Sequence, residues 1–130
     1  MRAVLALPLL LLAACDLPRD TEGTSERVAG DVVRIGFVED GNSYNQDPAF
    51  LLAAVLRGRG RYEHAAAEPL LEKLERGELD LVVGLFAEDS PWSKRVHFSE
   101  HNFHGFRIAT RLGEHRWAMT VDRAAKGAVR

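Results

Sequence analysis

Three groups of residues in this 130-residue chain are of types that could do chemistry. Cys15 is the only thiol. His97, His101 and His104 lie close together around Glu100, and imidazole and carboxylate are both zinc ligands. Their spacing fits no compact metal template. His97 and His101 would share a face only in a helix, whereas the residues around them read as loop and strand, so surface or capping histidines are the simpler reading. The third group pairs carboxylates with aromatic rings: Glu39, Asp40, Asn42 and Tyr44 in one segment, Phe86, Glu88, Asp89 and Trp92 in another. Rings beside carboxylates suit a cationic ligand through cation-π contact and charge pairing. Equally, such acidic loops form partner surfaces or are simply solvated. Catalytic signatures are missing. There is no G-x-S-x-G elbow, Ser99 near His101 has no orienting group, and no spacing singles out a paired acid and base. Gly58-Arg59-Gly60 follows a helical pattern and precedes no P-loop lysine. The expectation is a protein that is not an enzyme and uses neither metal nor cofactor.

Composition bounds the frame in which these groups sit. The chain is 46% hydrophobic and 28% charged with a formal net charge of −2, which fits one compact domain. The apolar residues are unevenly spread: apart from Arg2 and Pro8, residues 1–14 are all Ala, Val, Leu or Met. The run is too short to span a bilayer comfortably and ends in small residues, as a secretory signal peptide does. Outside it, 16 Lys and Arg (17 less Arg2) face 19 Asp and Glu, which leaves no basic footprint for nucleic acid. A domain of this size can bury enough surface to fold without disulfides or a structural metal.

Leu12-Ala13-Ala14-Cys15 resembles the lipobox of bacterial lipoproteins. That resemblance implies cleavage before Cys15, a diacylglyceryl group on its sulfur and an acylated amino terminus. The alternative is an ordinary secretory signal with an incidental cysteine. Several buried acyl chains would make the attachment effectively permanent. Residues 15–30 then read as the lipidated Cys and a polar, flexible tether that does not join the core, with a reach of about 50 Å. Asp16 resembles the inner-membrane retention signal of some lipoproteins. The expected location is the periplasmic side of a bacterial membrane, with the inner membrane favoured.

Positioning the candidate residues requires strands and helices in alternation. Val32 to Val38 is a β-branched run closed by the turn formers Glu39 to Asn42, predicting a buried strand and a loop. Asp47-Pro48 starts a helix whose face is Leu51, Ala54 and Val55. Arg61 to Ala66 is a weaker strand, and Pro69 to Arg76 a short helix with Leu70, Leu71 and Leu74 on one side. Leu79 to Phe86 predicts a central parallel strand covered on both faces. Residues 87–102 read as a long loop with one helical turn, Phe103 to Thr110 as a final strand, and Trp117, Val121, Ala124 or Ala125, and Ala128 as the buried face of a closing helix. This order predicts an α/β fold, a three-layer α/β/α sandwich with a mostly parallel sheet. In such sheets ligands sit beyond the carboxyl ends of the strands, which is where Glu39, Asp40, Asn42, Tyr44, Phe86, Asp89 and Trp92 fall.

Four blocks resemble one lobe of the bacterial extracellular solute-binding proteins that serve ABC transporters, family 3, the polar-amino-acid type. They are Arg34 to Glu39, the helix leading into Gly77-Glu78-Leu79-Asp80, the strand with Gly84, and Val96-His97-Phe98-Ser99. The resemblance implies one lobe of a type II periplasmic binding protein over residues 31–130. Family members build a second lobe after the Phe-Ser block and return through a strand and a closing helix; Phe103 to Thr110 and Trp117 to Ala125 resemble that return, with the second lobe omitted. The threonine and arginine that commonly clamp a ligand carboxylate align with Asp89 and Trp92, so the clamp is absent, and Arg95 is a nearby, out-of-register replacement. The implied role is non-catalytic: an accessory or recognition component of a transport or envelope system. Alternatives are weak capture of a small polar solute for an ABC permease, or an envelope lipoprotein using the lobe as an interaction surface. Small ligands need most of their surface buried, so a permease, a second-lobe protein or a second copy is expected to supply the opposite wall.

Overall fold

The computed structural model describes residues 21, 23–28, 32–39, 59–100 and 105–128. In chain order the elements are α1 (Thr24–Val28), β1 (Val32–Val38), β2 (Arg59–Ala65), α2 (Ala67–Glu75), β3 (Leu81–Gly84), a 3-10 turn (Pro91–Lys94), β4 (Val96–Phe98), β5 (Arg107–Arg111) and α3 (His115–Ala128). They form one five-stranded sheet in the order β2-β1-β3-β5-β4. β1 is parallel to β2 and β3, whereas β5 is antiparallel to both β3 and β4, so four strands run one way and one runs the other.

Helices cover both faces, giving the three layers expected. Along β1, Val33, Ile35 and Phe37 face one way and pack with Leu81, Val83, Ile108 and the α3 residues Trp117, Val121, Ala124 and Ala125; Val28 of α1 joins them. On the opposite face Leu70, Leu71 and Leu74 of α2 pack with Leu79, Val82, Val96 and Ala109. Each of the three α2 leucines is fully buried, and such burial is worth about 1.5–3 kcal/mol. Gly36 lets α2 approach, because a Cβ there would sit 2.9 Å from Leu79 and 3.2 Å from both Leu70 and Val82. β3 is buried on both faces along its whole length, as its unbroken apolar run requires.

Local chemistry sets the boundaries. α2 ends at Gly77, whose φ of +79° suits a residue without Cβ. Gly77 N–H donates to Leu74 O at 3.1 Å and Glu78 N–H to Lys73 O at 2.9 Å, the paired bonds of a Schellman cap. Gly113, at φ +87°, turns the chain from β5 into α3. Ser90 caps the 3-10 turn, its Oγ accepting from Trp92 N–H at 3.4 Å, with Pro91 at the first helical position.

Four expectations are revised. Residues 24–28, expected to stay out of the core, join it: Thr24–Val28 is helical, Thr24 and Val28 are buried, and Arg27 reaches the buried Asp80. Asp80 fixes this segment, because its carboxylate needs cationic partners that the sheet supplies only in part. Residues 96–98, read as loop, form the edge strand β4, and the central strand is shorter than Leu79 to Phe86. The last strand is Arg107–Arg111, not Phe103 to Thr110. The helix expected from Asp47 lies outside the described residues.

Candidate functional site

Strand direction places the carboxyl ends of β1, β2, β3 and β4 along one edge, where β5 begins with Arg107 opposite Gly84. Glu39 follows β1 and is exposed; its N–H donates to Ala65 O at 2.9 Å, which fixes the start of that loop. After β3, Phe86 folds back over Gly84, where a Cβ would meet both Val38 and the Phe86 ring. The Phe86 ring lies 4.9 Å from that of Phe98. Leu85 beside it is 59% exposed, and Glu88 and Asp89 are exposed as well. The rim therefore unites Glu39, Phe86, Glu88 and Asp89 from the predicted set. Asp40, Asn42 and Tyr44 lie outside the described residues.

Trp92 lies in the 3-10 turn that leads into β4. Its ring packs against the α2-side core, and the Arg95 guanidinium lies 4.3 Å from the ring centroid. Arg95 also donates to Glu75 at 2.5 and 3.2 Å. It precedes β4, whose first residue pairs with Arg111 at the end of β5, so Arg95 lies at the amino edge of the sheet. It lies at the opposite end of the strands from Arg107.

A cation that sequence reasoning missed stands at the rim. Arg107 is the first residue of β5, its side chain is 19% exposed, and its Nη2 donates to Glu88 at 2.9 Å. Nothing local in the sequence marks Arg107. Its place follows from the antiparallel register that sets it opposite Gly84, a contact distant in the chain.

The other predicted groups serve different ends. Asp80, from the Gly77-Glu78-Leu79-Asp80 block, is buried at the amino edge. It accepts from Arg27, from Arg34 Nη2 at 3.1 Å and from Arg34 N–H at 2.7 Å, while its carbonyl accepts from Trp117 Nε1 at 2.8 Å. It ties α1, β1, β3 and α3 together and lies far from the rim. His97, Glu100, His115 and Asp122 line a groove of about 310 Å³ between the β4–β5 edge and α3. Among the described residues no three metal-ligating side chains converge; His101 and His104 lie outside them. On β2, partial burial pushes the Tyr62 phenol above its ordinary pKa.

The connection from β4 to β5 bears on the second lobe. Ser99 N–H donates to Ile108 O at 2.8 Å and Ser99 Oγ accepts from Ile108 N–H at 3.0 Å. The strands are thus joined through residues 99–106, too few to build a lobe.

No protein-family model and no curated protein matches the chain. Solved structures do. The arginine-bound form of domain 1 from TmArgBP matches with a TM-score of 0.61 at 15% identity, over 74% of this chain and 92% of that one. A point mutant of the same domain, also arginine-bound, matches with a TM-score of 0.63 at 17% identity, over 74% and 90%. The fold is that of one lobe of a solute-binding protein. At this identity the likeness concerns the fold, and it extends over nearly the whole of a domain crystallised by itself.

Proposed function

We propose that this chain is a lipid-anchored, single-lobe relative of the family 3 solute-binding proteins that acts by binding, as a recognition component of a transport or envelope system. Its ligand class is a cationic amino acid or a similar zwitterion. The observation that carries this reading is the pairing of Arg107 with the exposed Glu88 at the carboxyl rim, where Asp89 and Glu39 are also exposed. β1 and β5 are two strand spacings apart, so the Glu39 and Arg107 positions are separated by about 10 Å. An extended basic amino acid would fit that span, with its α-carboxylate on Arg107 and its side-chain cation on Glu39 or Asp89. Glu88, 89% exposed, can swing away when a ligand carboxylate takes over the guanidinium. Phe86 and Leu85 supply apolar floor. Domain 1 of TmArgBP is arginine-bound in both matching structures, which supports one lobe of this fold as a binding unit.

A second reading, that the rim is a contact surface for a permease, a second-lobe protein or another copy of the chain, is favoured by Leu85, a large apolar side chain left 59% exposed beside the carboxylates.

Thermal-shift measurements on the full-length protein with L-arginine, L-lysine, putrescine and L-glutamate test the proposal. A saturable rise with the basic amino acids, reduced in Arg107→Gln and in Glu39→Gln/Asp89→Asn, is expected. A response to L-glutamate alone, or none to any of the four, would refute solute capture. The anchor is tested apart from this by labelled palmitate, which is expected in the wild type and absent from Cys15→Ala.

A further inference from the structure

Four arginines cluster at the opposite edge of the sheet from the rim. β1 and β2 pair in parallel with Val32 opposite Arg59 and Arg34 opposite Arg61, and directly opposed residues of parallel strands share a face. Arg34, Arg59 and Arg61 therefore project from one side of the amino edge, and Arg27 of α1 joins them. With Val32 and Gly60 they line an open recess of about 650 Å³.

Charge accounting favours an anionic occupant. Among the described residues no acid lines the recess. Asp80 takes Arg27 and Arg34, so among the described residues four guanidinium groups face one carboxylate, an excess of three. The neighbouring acids are already engaged, Glu63 with Lys73 and Glu78 with Arg76. Arg59 and Arg61 are exposed and make no ion pair or side-chain hydrogen bond among the described residues. In a chain of net charge −2, such a cluster is local and one-sided. Guanidinium groups match phosphate oxygens by bidentate hydrogen bonding.

We propose that this recess binds the phosphate groups of anionic phospholipid headgroups, so that the lobe rests on the membrane with its carboxyl rim turned away. The choice of a lipid over a soluble phosphate rests on the anchored reading. α1, which contributes Arg27, follows Cys15 after a segment that spans at most about 30 Å, which brings the amino edge within reach of the surface. Surface attraction acts over about one Debye length, so this edge must face the headgroups for its arginines to matter.

Full-length Cys15→Ser protein, which cannot be acylated at that position, is sedimented with phosphatidylglycerol vesicles and with phosphatidylcholine vesicles. The apolar residues 1–14 contribute to both arms, so the ratio of the two affinities is the readout. A preference for phosphatidylglycerol is expected. It should weaken with added salt and fall roughly thirtyfold in Arg59→Gln/Arg61→Gln, while Arg59→Lys/Arg61→Lys keeps most of it. Equal partition into the two vesicles, or a Gln variant with wild-type preference, overturns the proposal. Displacement by millimolar inorganic phosphate without any preference for phosphatidylglycerol assigns the recess to a soluble anion and overturns the lipid reading. Failure of palmitate labelling at Cys15 would sink the anchor alone, because the vesicle preference is measured without it.

Discussion

Replacing Asp80 by asparagine should cost more stability than any other single polar change in the described lobe. The carboxylate has no exposed surface. It accepts from Arg27 and from Arg34 Nη2 and backbone N–H, with a longer contact from Arg34 Nε at 3.4 Å. Asparagine preserves the size and one acceptor, but turns an amide NH₂ toward guanidinium groups and removes the negative charge that both share. Breaking a buried pair costs about 3–5 kcal/mol. The arginine side chains left behind are 37% and 30% exposed and regain water, which puts the loss near the lower end, about 3 kcal/mol. For a domain of this size that corresponds to a fall in Tm of roughly 12–24 °C, out of a total stability of about 5–15 kcal/mol. Urea unfolding followed by tryptophan fluorescence reads it directly, since Trp117 Nε1 bonds the Asp80 carbonyl. The midpoint should drop with an unchanged slope, and Arg27→Met should cost less in the Asp80→Asn background than in the wild type. A loss below about 0.5 kcal/mol, the range of an ordinary surface change, would refute the view that Asp80 organises the amino edge.

Other substitutions probe the layers and the rim separately. Trp117→Ala removes a buried anchor between α3 and the sheet and should cost about 3–5 kcal/mol by denaturant titration. Gly36→Ala pushes a methyl against Leu79, Leu70 and Val82; an overpacking loss of about 1–3 kcal/mol is expected in the same assay. Arg95→Ala, which loses an exposed pair with Glu75 and its stacking on Trp92, should cost about 1 kcal/mol or less. It should leave the ligand-induced thermal shift unchanged, whereas a lost shift would return Arg95 and Trp92 to the binding site.

What could be read from sequence followed how local the determinant was. The β-branched run Val32 to Val38 became β1 at those limits, because apolar content over seven residues decides a strand without distant help. The buried face of α3 was legible for the same reason, since Trp117, Val121 and Ala125 recur at helical spacing. α1 was not, because Thr24 to Val28 is mostly polar and is held by Asp80, more than fifty residues away in the chain. β4 is three residues long with an exposed His97, and only pairing with β5 makes it a strand. At the rim, the carboxylates Glu39 and Asp89 were visible as loop residues after strands. Arg107 was invisible because the register of β3 and β5 places it. The spacing of Trp92 from Phe98 marks a place in the chain, while packing against the cluster that holds Leu74 and Val96 decides where its ring goes.

Calorimetric titration of L-arginine into the full-length protein, alongside the Arg107→Gln variant, tests single-lobe capture at the carboxyl rim most directly. Loss of a charge-assisted bidentate contact is worth about 1.5–3 kcal/mol, so saturable binding weakened roughly ten- to a hundredfold in the variant is the predicted result. Absence of saturable heat with L-arginine and L-lysine, or binding that does not change when Arg107 is replaced, would contradict it.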